Sequence, residues 1–124
     1  MHKTHSIGKT GEEIATQYFI KKGYKLLDKN FRTKNGEIDL IFEKDNTVIF
    51  VEVKFRTQDK FGDPIESITS KKISKIIETA KFYVNQYELW DKDIRFDVIT
   101  IKEKNGKYKF DHVREAFIEF QAGR

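Results

Sequence analysis

The sequence predicts an α/β domain with a mixed, largely antiparallel central sheet flanked by a helix on each side. A hairpin pattern fills the middle of the chain, from Gly36 to Arg56. Helical patterns lie on either side of it, from Thr10 to Lys22 and from Thr69 to Tyr87, and a further strand pattern runs from Ile94 to Ile101. This alternation of helix, strand pair, helix and strand is typical of the α/β class.

The composition indicates one folded domain over residues 1–124, in which residues 1–9 form a flexible polar tail. Hydrophobic residues make up 38% of the chain and aromatic residues 14%, which favours a packed core over disorder. The formal net charge of +4 fits a polyanionic partner such as DNA. The absence of cysteine excludes disulfides and thiolate metal sites. The sequence has no signal peptide and no apolar run that could span a bilayer, so we expect a cytoplasmic protein with no membrane partner.

The first helix is predicted from Thr10 to Lys22, with Thr10 as its N-cap and Gly23 as its stop signal. Glu12 lies seven residues before Phe19, so it projects along the apolar stripe of the helix. The helix dipole alone also explains an acidic residue in the first turn. The residues by themselves therefore leave a structural and a functional role for Glu12 open.

A short strand is predicted from Tyr24 to Asp28, followed by a polar connection from Asn30 to Asn35. Phe31 is expected to anchor that connection by packing on the domain. Arg32 is a candidate phosphate contact, although a solvated arginine explains it equally well.

The central stretch reads GEIDLIFEKDNTVIFVEVKFR and predicts a hairpin closed by Asp45 and Asn46, which tolerate left-handed backbone angles. Alternation of side chains gives one wholly apolar face, expected to be the core, and a second face with carboxylates and a lysine. The apolar face carries Ile38, Leu40, Phe42, Ile49, Val51, Val53 and Phe55, and the second face carries Glu37, Asp39, Ile41, Phe50, Glu52 and Lys54. The predicted pairs are Lys44 with Thr47, Ile41 with Phe50, Asp39 with Glu52, and Glu37 with Lys54.

The second face of the hairpin is unusual as a purely structural surface. Asp39 and Glu52 would have β-carbons roughly 5 Å apart, and like charges at that separation destabilise a sheet. A divalent cation would remove the repulsion, and two carboxylates with backbone carbonyls suit a hard cation such as Mg²⁺. Lys54 follows one step along the same face. A metal ion, two carboxylates and a lysine are the groups needed to hydrolyse phosphodiesters.

The loop from Arg56 to Pro64 leaves this edge of the sheet directly, and loops placed there by a rigid sheet commonly carry binding residues. Arg56 and Lys60 are candidate phosphate contacts in that loop. Phe61 is expected either to pack against the domain or to stack on a base.

The second helix, from Thr69 to Tyr87, has an apolar stripe at three- and four-residue spacing that predicts a core face. Lys71, Lys72 and Lys75 crowd its start, where cations oppose the helix dipole. A phosphate site at the helix end explains them better than a solvated face, which remains the alternative. The stripe consists of Ile73, Ile76, Ile77, Ala80, Tyr83, Val84 and Tyr87.

The last part of the chain predicts a strand from Ile94 to Ile101 and a turn around Asn105 and Gly106, after which residues 108–110 pair back. His112 is a histidine far from the N-terminus in sequence. We expect it to be a hydrogen-bonded structural residue rather than a catalytic one.

Asp39, followed after a short turn by Glu52-Val53-Lys54, resembles the signature of the PD-(D/E)XK nucleases. Further segments of the sequence resemble the small bacterial YraN-like family of predicted endonucleases. That family is distantly similar to archaeal Holliday junction resolvases. Ile38 stands where the superfamily name has a proline, at a position that varies widely. The residues that carry the wider resemblance are Gly11 and Glu12 with Ala15, GEIDLI, VIFVEVKFR and RFDVI, within about Gly11 to Phe117.

The resemblance implies a restriction-endonuclease-like core and a Mg²⁺- or Mn²⁺-dependent endonuclease acting on duplex or branched DNA. It implies that Asp39, Glu52 and the carbonyl of Val53 hold the metal ion. Lys54 would then position the attacking water, with help from Glu12. Similarity to the junction resolvases, which cut two strands, implies a possible homodimer.

Several alternatives stay open at this point. Glu13 replaces Glu12 as the helix carboxylate if the helix is rotated. Lys72 matches a lysine of the family and is favoured as a phosphate contact. The domain could bind nucleic acid without cleaving it. It could also be purely structural, with an ordinary Glu37–Lys54 ion pair and no metal site.

Overall fold

The structure is a computed structural model in which residues 7–57 and 68–116 are described. The strands of these residues form one five-stranded sheet in chain order. The elements are α1 (Ile7–Lys21), β1 (Lys25–Thr33), β2 (Gly36–Lys44), β3 (Thr47–Thr57), α2 (Ser70–Gln86), β4 (Asp93–Lys104) and β5 (Lys107–Val113). Only β3 and β4 among these neighbours run parallel, which confirms the predicted α/β class and its mixed, largely antiparallel sheet. α2 connects the parallel strands because a parallel connection needs a crossover.

Both faces of the sheet are apolar where the helices pack on them. Ala15 and Phe19 of α1 belong to one buried cluster, and Ala80 and Tyr83 of α2 belong to the other. The sequence predicted a single core face with the second face partly covered. Ile41 and Phe50 on that second face are only 0% and 1% exposed, so α2 completes a second core there. The α1 cluster takes Leu40, Phe42, Ile49 and Val51 from the hairpin, and the α2 cluster takes Ile38, Ile41, Val48 and Phe50.

The central hairpin closes as predicted. Asp45 and Asn46 form a two-residue loop with φ angles of 50° and 65°, the conformation whose twist matches that of the flanking strands. Ile41 lies opposite Phe50, which confirms the predicted register. The described ladder runs from this turn as far as Leu40 opposite Val51.

The first helix begins earlier than predicted. α1 starts at Ile7, so Thr10 lies inside the helix and is not its N-cap, and residues 7–9 of the predicted tail are helical. No proline precedes Thr10 to stop the helix there. The rest of the predicted tail lies outside the described residues. The end is as predicted, because Gly23 has a left-handed φ of 93° and the N–H of Tyr24 donates to the Phe19 carbonyl at 3.0 Å.

The second helix agrees with the prediction at both ends. Thr69 is the N-cap, and its side chain accepts a hydrogen bond from the N–H of Lys72 at 3.1 Å. Tyr83 is buried as expected, whereas Tyr87 is 49% exposed and its predicted core position is wrong. Tyr87 is the C-cap, and its ring packs on the edge of the cluster against Tyr83, with ring centroids 4.6 Å apart. Neither described helix is long and apolar enough to cross a membrane.

Three strands are longer than predicted. β1 continues through most of the stretch predicted as a polar connection, because Phe31 pairs with Ile38 and packs edge-on against Tyr83. β4 extends the predicted strand at both ends, and β5 includes His112. Pairing with a neighbouring strand decides these limits, and local sequence preference reports such pairing poorly.

Candidate metal and nuclease site

The alternation of side chains along β2 reverses at Asp39. Ile38 packs in the α2 cluster and Leu40 in the α1 cluster, although a regular strand would place them on one face. Asn30 of β1, which lies between the partners of these two residues, has a left-handed φ of 52°. Such an irregularity re-aims side chains, as β-bulges do beside active sites. The predicted face assignment of Ile38 is therefore wrong.

The Asp39 carboxylate is bound to the neighbouring strand. Its Oδ2 accepts a hydrogen bond from the backbone N–H of Val53 at 2.8 Å. The sequence predicted that Asp39 faces Glu52 in a regular ladder. The described ladder instead stops at Leu40 opposite Val51, and the carboxylate makes the next connection between the strands.

The electrostatic environment of Asp39 opposes its ionisation. Burial raises the pKa of Asp39 from 3.8 to about 7, and the charges of Glu52, Glu12 and Glu37 act in the same direction. The hydrogen bond from Val53 lowers this pKa but does not offset burial and repulsion. The fold therefore holds a carboxylate that is partly protonated at neutral pH unless a cation lies beside it.

Glu52 and Lys54 project from β3 close to one another, and α2 adds a second lysine. Oε2 of Glu52 lies 3.6 Å from Nζ of Lys54 and 3.2 Å from Nζ of Lys72. The side chains of Glu52 and Lys54 are only 12% and 15% exposed. The Thr69 cap fixes the first turn of α2, and the Lys72 side chain of that turn reaches Glu52 of β3. Lys72 thus contacts a site carboxylate, which the sequence did not predict.

The two lysines affect each other's proton affinity. Burial lowers the pKa of Lys54, and the nearby ammonium of Lys72 lowers it further, with a smaller contribution from Arg56. Burial alone would also lower the pKa of Lys72, but its contacts with Lys54 and Glu52 raise it overall. Burial of Lys54 thus disfavours its charged form, and the contacts of Lys72 favour the charged form of that lysine.

A second group of carboxylates meets at Asn30. The Asn30 amide donates to both oxygens of Glu12, at 3.2 and 3.1 Å, and to Glu37 at 3.2 Å. Glu12 is half-buried and Glu13 is exposed, so the helix presents Glu12 to the site. Sequence reasoning missed Asn30, which it placed in a connection. An asparagine beside the acidic strand, able to adopt a left-handed angle, is the signal that could have found it.

The other predicted site residues are spread around this edge. Arg32 is 73% exposed and lies 3.4 Å from Glu37, so the ion pair of Glu37 is with Arg32 and not with Lys54 as the structural alternative required. Lys71 and Lys75 are exposed on α2. Lys60 lies outside the described residues, as does Phe61 of the same loop.

The oxygen donors of this site suit a hard divalent cation. Among residues 7–57 and 68–116, no group of three or more His, Cys, Asp or Glu side chains is placed to hold a metal ion. A cation here would depend on the carboxylates of Asp39 and Glu52 and on the Val53 carbonyl, all oxygen donors of the kind Mg²⁺ prefers. The raised pKa of Asp39 shows why a cation would be favourable at this position.

A model of the family described as Uncharacterised protein family UPF0102 matches residues 11–101. The chain belongs to the UPF0102 family. This confirms the resemblance to the YraN-like family that the motifs indicated. The matched region includes the carboxylates of α1, β2 and β3 and the first turn of α2.

Relatives of this UPF0102 chain align with it over nearly their whole length. A UPF0102 protein of Sulfurihydrogenibium sp. is 48% identical over 117 residues, which cover 94% of this chain and 97% of the relative. A UPF0102 protein of Syntrophomonas wolfei is 44% identical over 111 residues, which cover 90% of this chain and 96% of the relative. A UPF0102 protein of Christiangramia forsetii is 36% identical over 120 residues, which cover 97% of this chain and 100% of the relative.

Proposed function

We propose that this UPF0102 chain is a divalent-metal-dependent endonuclease that hydrolyses DNA phosphodiester bonds, with junction or branched DNA as candidate substrates. The observation that supports it most is the close placement of Asp39, Glu52 and Lys54 on two neighbouring strands. The described ladder between these strands ends at Leu40, and the Asp39 carboxylate hydrogen-bonds the Val53 N–H beyond that point. Asp39, Glu52 and Lys54 are the residues of the nuclease signature. The net charge of +4 suits a polyanionic substrate.

Asp39, Glu52 and the carbonyl of Val53 would hold Mg²⁺ or Mn²⁺. When bound, such a cation polarises a phosphoryl oxygen and makes a water more acidic. The N–H of Val53 keeps the Asp39 carboxylate in position. Glu12, held by the Asn30 amide, would accept a hydrogen bond from a water on the α1 side of the site.

Lys54 would orient the attacking water and move its proton. The lowered pKa of Lys54 raises the fraction of neutral amine that can accept a proton at Nζ. Glu52 lies 3.6 Å from that atom and limits where the amine can point. Substrate phosphates would contact the cationic residues around this edge, namely Arg32, Arg56, Lys71, Lys72 and Lys75. Lys60, which lies outside the described residues, stays a candidate phosphate contact from its sequence position.

One observation favours a second candidate function, a nucleic-acid-binding module that does not cleave. Glu52 already has ammonium groups from Lys54 and Lys72 within 3.6 Å and 3.2 Å, so its charge is compensated without a metal ion. A site in that state would still present lysines to a phosphate backbone.

Cleavage of a DNA panel separates these functions. We expect supercoiled plasmid or branched DNA to be cut with Mg²⁺ or Mn²⁺ and to stay intact in EDTA. DNA binding and metal binding without cleavage would support the non-cleaving module instead. Isothermal titration with Mn²⁺ that shows no binding would contradict the proposed metal site.

Lys72 and a metal ion would compete for Oε2 of Glu52. Lys72→Gln is therefore expected to tighten Mn²⁺ binding by about 3- to 10-fold, because an ammonium ion beside a shared ligand repels a cation. Calorimetry on the DNA-free protein measures this. The matched control is Lys81→Gln, which removes an ammonium 3.8 Å from Glu78 on the exposed side of the same helix. Unchanged or weaker Mn²⁺ affinity in Lys72→Gln would mean that Lys72 supports the site rather than competes there.

The exposed lysines of α2 predict a salt dependence. If Lys71 and Lys75 contact phosphates, replacing each by alanine should reduce the slope of log K against log salt by about 0.9 for duplex DNA. Fluorescence anisotropy in EDTA measures binding without cleavage. Lys109 of β5, also exposed, is the control. Slopes that do not change in the α2 variants would identify those lysines as a solvated face.

A further inference from the structure

A polar pocket lies at the opposite end of α1 from Glu12. It opens where α1 ends, beside the turn of the central hairpin and the last described strand. At about 1.5 Å of rise per residue, roughly 15 Å of helix separates it from Glu12. Its lining, as far as residues 7–57 and 68–116 supply it, is cationic and aromatic without a carboxylate: Tyr18, Lys22, Tyr24, Lys44, His112 and Arg114.

Aromatic rings hold the lysines of this pocket. Nζ of Lys22 lies 5.2 Å from the centre of the Tyr18 ring, and Nζ of Lys44 lies 4.8 Å from that of Tyr24. Lys44 also donates to the Lys22 carbonyl at 2.8 Å. That bond places the Lys44 ammonium at the negative end of the helix, where the dipole stabilises a cation.

The nearest buried negative charge is already neutralised. Asp97 is fully buried and lies 2.9 Å from the Arg95 guanidinium and 2.7 Å from Nε2 of His112. Hydrogen bonds from His112 and Arg95 outweigh the effect of burial and lower the pKa of Asp97. The backbone N–H of Glu115 donates to the same carboxylate at 3.1 Å. This network fixes the His112 ring, which confirms the expected hydrogen bonding of His112. It leaves Lys22, Lys44 and Arg114 as a surplus of positive charge.

The wall of the pocket also offers a hydroxyl donor. The Tyr24 oxygen accepts a hydrogen bond from Arg95 at 2.6 Å, which leaves its own hydrogen available for donation. Within residues 7–57 and 68–116, no acceptor of that hydrogen is seen. Tyr24 lines the pocket and is only 6% exposed, so its hydroxyl is a nearly buried donor beside the pocket.

We propose that this pocket binds a phosphate group. The group needs several acceptor oxygens and a negative charge, since the described lining residues supply ammonium, guanidinium and hydroxyl donors and no carboxylate. A phosphate of a DNA backbone and a free phosphate or mononucleotide share this chemistry. If the source is DNA, which rests on the proposed function, the pocket anchors the duplex about four base steps from Glu12, at about 3.4 Å per step.

Titration with inorganic phosphate tests the pocket directly. In ¹H–¹⁵N spectra at constant ionic strength, phosphate should shift the amides around Tyr24, Lys44 and Arg114 in a saturable way. Lys22→Gln with Arg114→Gln should weaken phosphate binding at least tenfold. The control double variant, Lys21→Gln with Lys109→Gln, loses the same charge from exposed positions outside this pocket and should change binding less than twofold. The spectra also show whether each variant is folded, and Arg114→Gln alone, an exposed change, should weaken binding in the same direction.

Duplex DNA and a mononucleotide identify the source of the phosphate. Both are titrated in EDTA, so the result does not depend on cleavage or on a metal ion. Weaker duplex binding by the pocket variant than by the control variant would assign the pocket to DNA. Weaker binding of phosphate and mononucleotide, with equal duplex binding, would assign it to a free phosphate ligand. Absence of saturable phosphate shifts, or equal weakening in both double variants, would overturn the proposal.

Discussion

Replacing Lys54 by alanine or Glu52 by glutamine is expected to reduce metal-dependent DNA cleavage at least about 100-fold while the protein stays folded. Lys54 would lose the amine that orients and deprotonates water. Glu52→Gln would remove a charged ligand of the metal ion and leave the shape of the side chain. Initial rates of plasmid nicking under saturating Mn²⁺ measure the loss, and circular dichroism checks the fold.

An ion pair near the turn of the hairpin supplies matched controls for this experiment. Glu43 and Lys92 form an ion pair at 2.8 Å, away from the site and near the turn. Glu43→Gln and Lys92→Ala therefore remove the same kinds of charge and should retain full cleavage. The double variant of Glu52 and Lys54 should be about as slow as each single one, because residues acting as a unit are not additive. Full activity in either single variant would remove these residues from the chemistry.

Asp39→Asn is expected to stabilise the metal-free protein at pH 8 while weakening Mn²⁺ binding and stopping cleavage. The asparagine carbonyl can still accept the hydrogen bond from Val53, but the buried negative charge is gone. A pKa raised to about 7 corresponds to at most about 4 kcal/mol, at about 1.4 kcal/mol per unit. Since Asp39 is partly exposed and screened, we expect about 1 to 2 kcal/mol from chemical denaturation.

The gain in stability should depend on pH in a defined direction. Between pH 4 and 7 the folded protein binds a proton at Asp39 that the unfolded chain has released, because burial and Glu52 raise the pKa from 3.8 to about 7. The stability of the wild type should therefore fall as the pH rises through this window and level off above it. Asp39→Asn has no carboxyl group to titrate, so its gain in stability over the wild type should be small near pH 4 and largest near pH 8.

Metal titration and a second substitution complete this test. Saturating Mn²⁺ should raise the melting temperature of the wild type more than that of Asp39→Asn, because ligand stabilisation follows affinity. Asp39→Ala removes the acceptor of the Val53 hydrogen bond and should be less stable than Asp39→Asn. Two results together would show that Asp39 does not hold a cation: Asp39→Asn destabilises the protein at pH 8, and Mn²⁺ leaves the melting temperature of the wild type unchanged.

Local sequence information was sufficient wherever the interaction is short in range. The turn at Asp45 and Asn46 and the register beside it follow from alternation and from residues that accept left-handed angles. The Thr69 cap follows from the chemistry of the first helical turn. Lys54 follows Glu52 by two residues on one strand, so their proximity is also a local property.

By itself, then, the sequence determined the α/β class, the central hairpin and the strand residues of the candidate site. Only the tertiary structure decided that Lys72 reaches Glu52, that Asn30 joins Glu12 to Glu37, and that side-chain alternation reverses at Asp39. The physical reason is that periodicity reports which residues share a face of one element. How closely a helix packs on a sheet, and where one backbone residue takes a left-handed angle, depend on contacts between residues far apart in the chain.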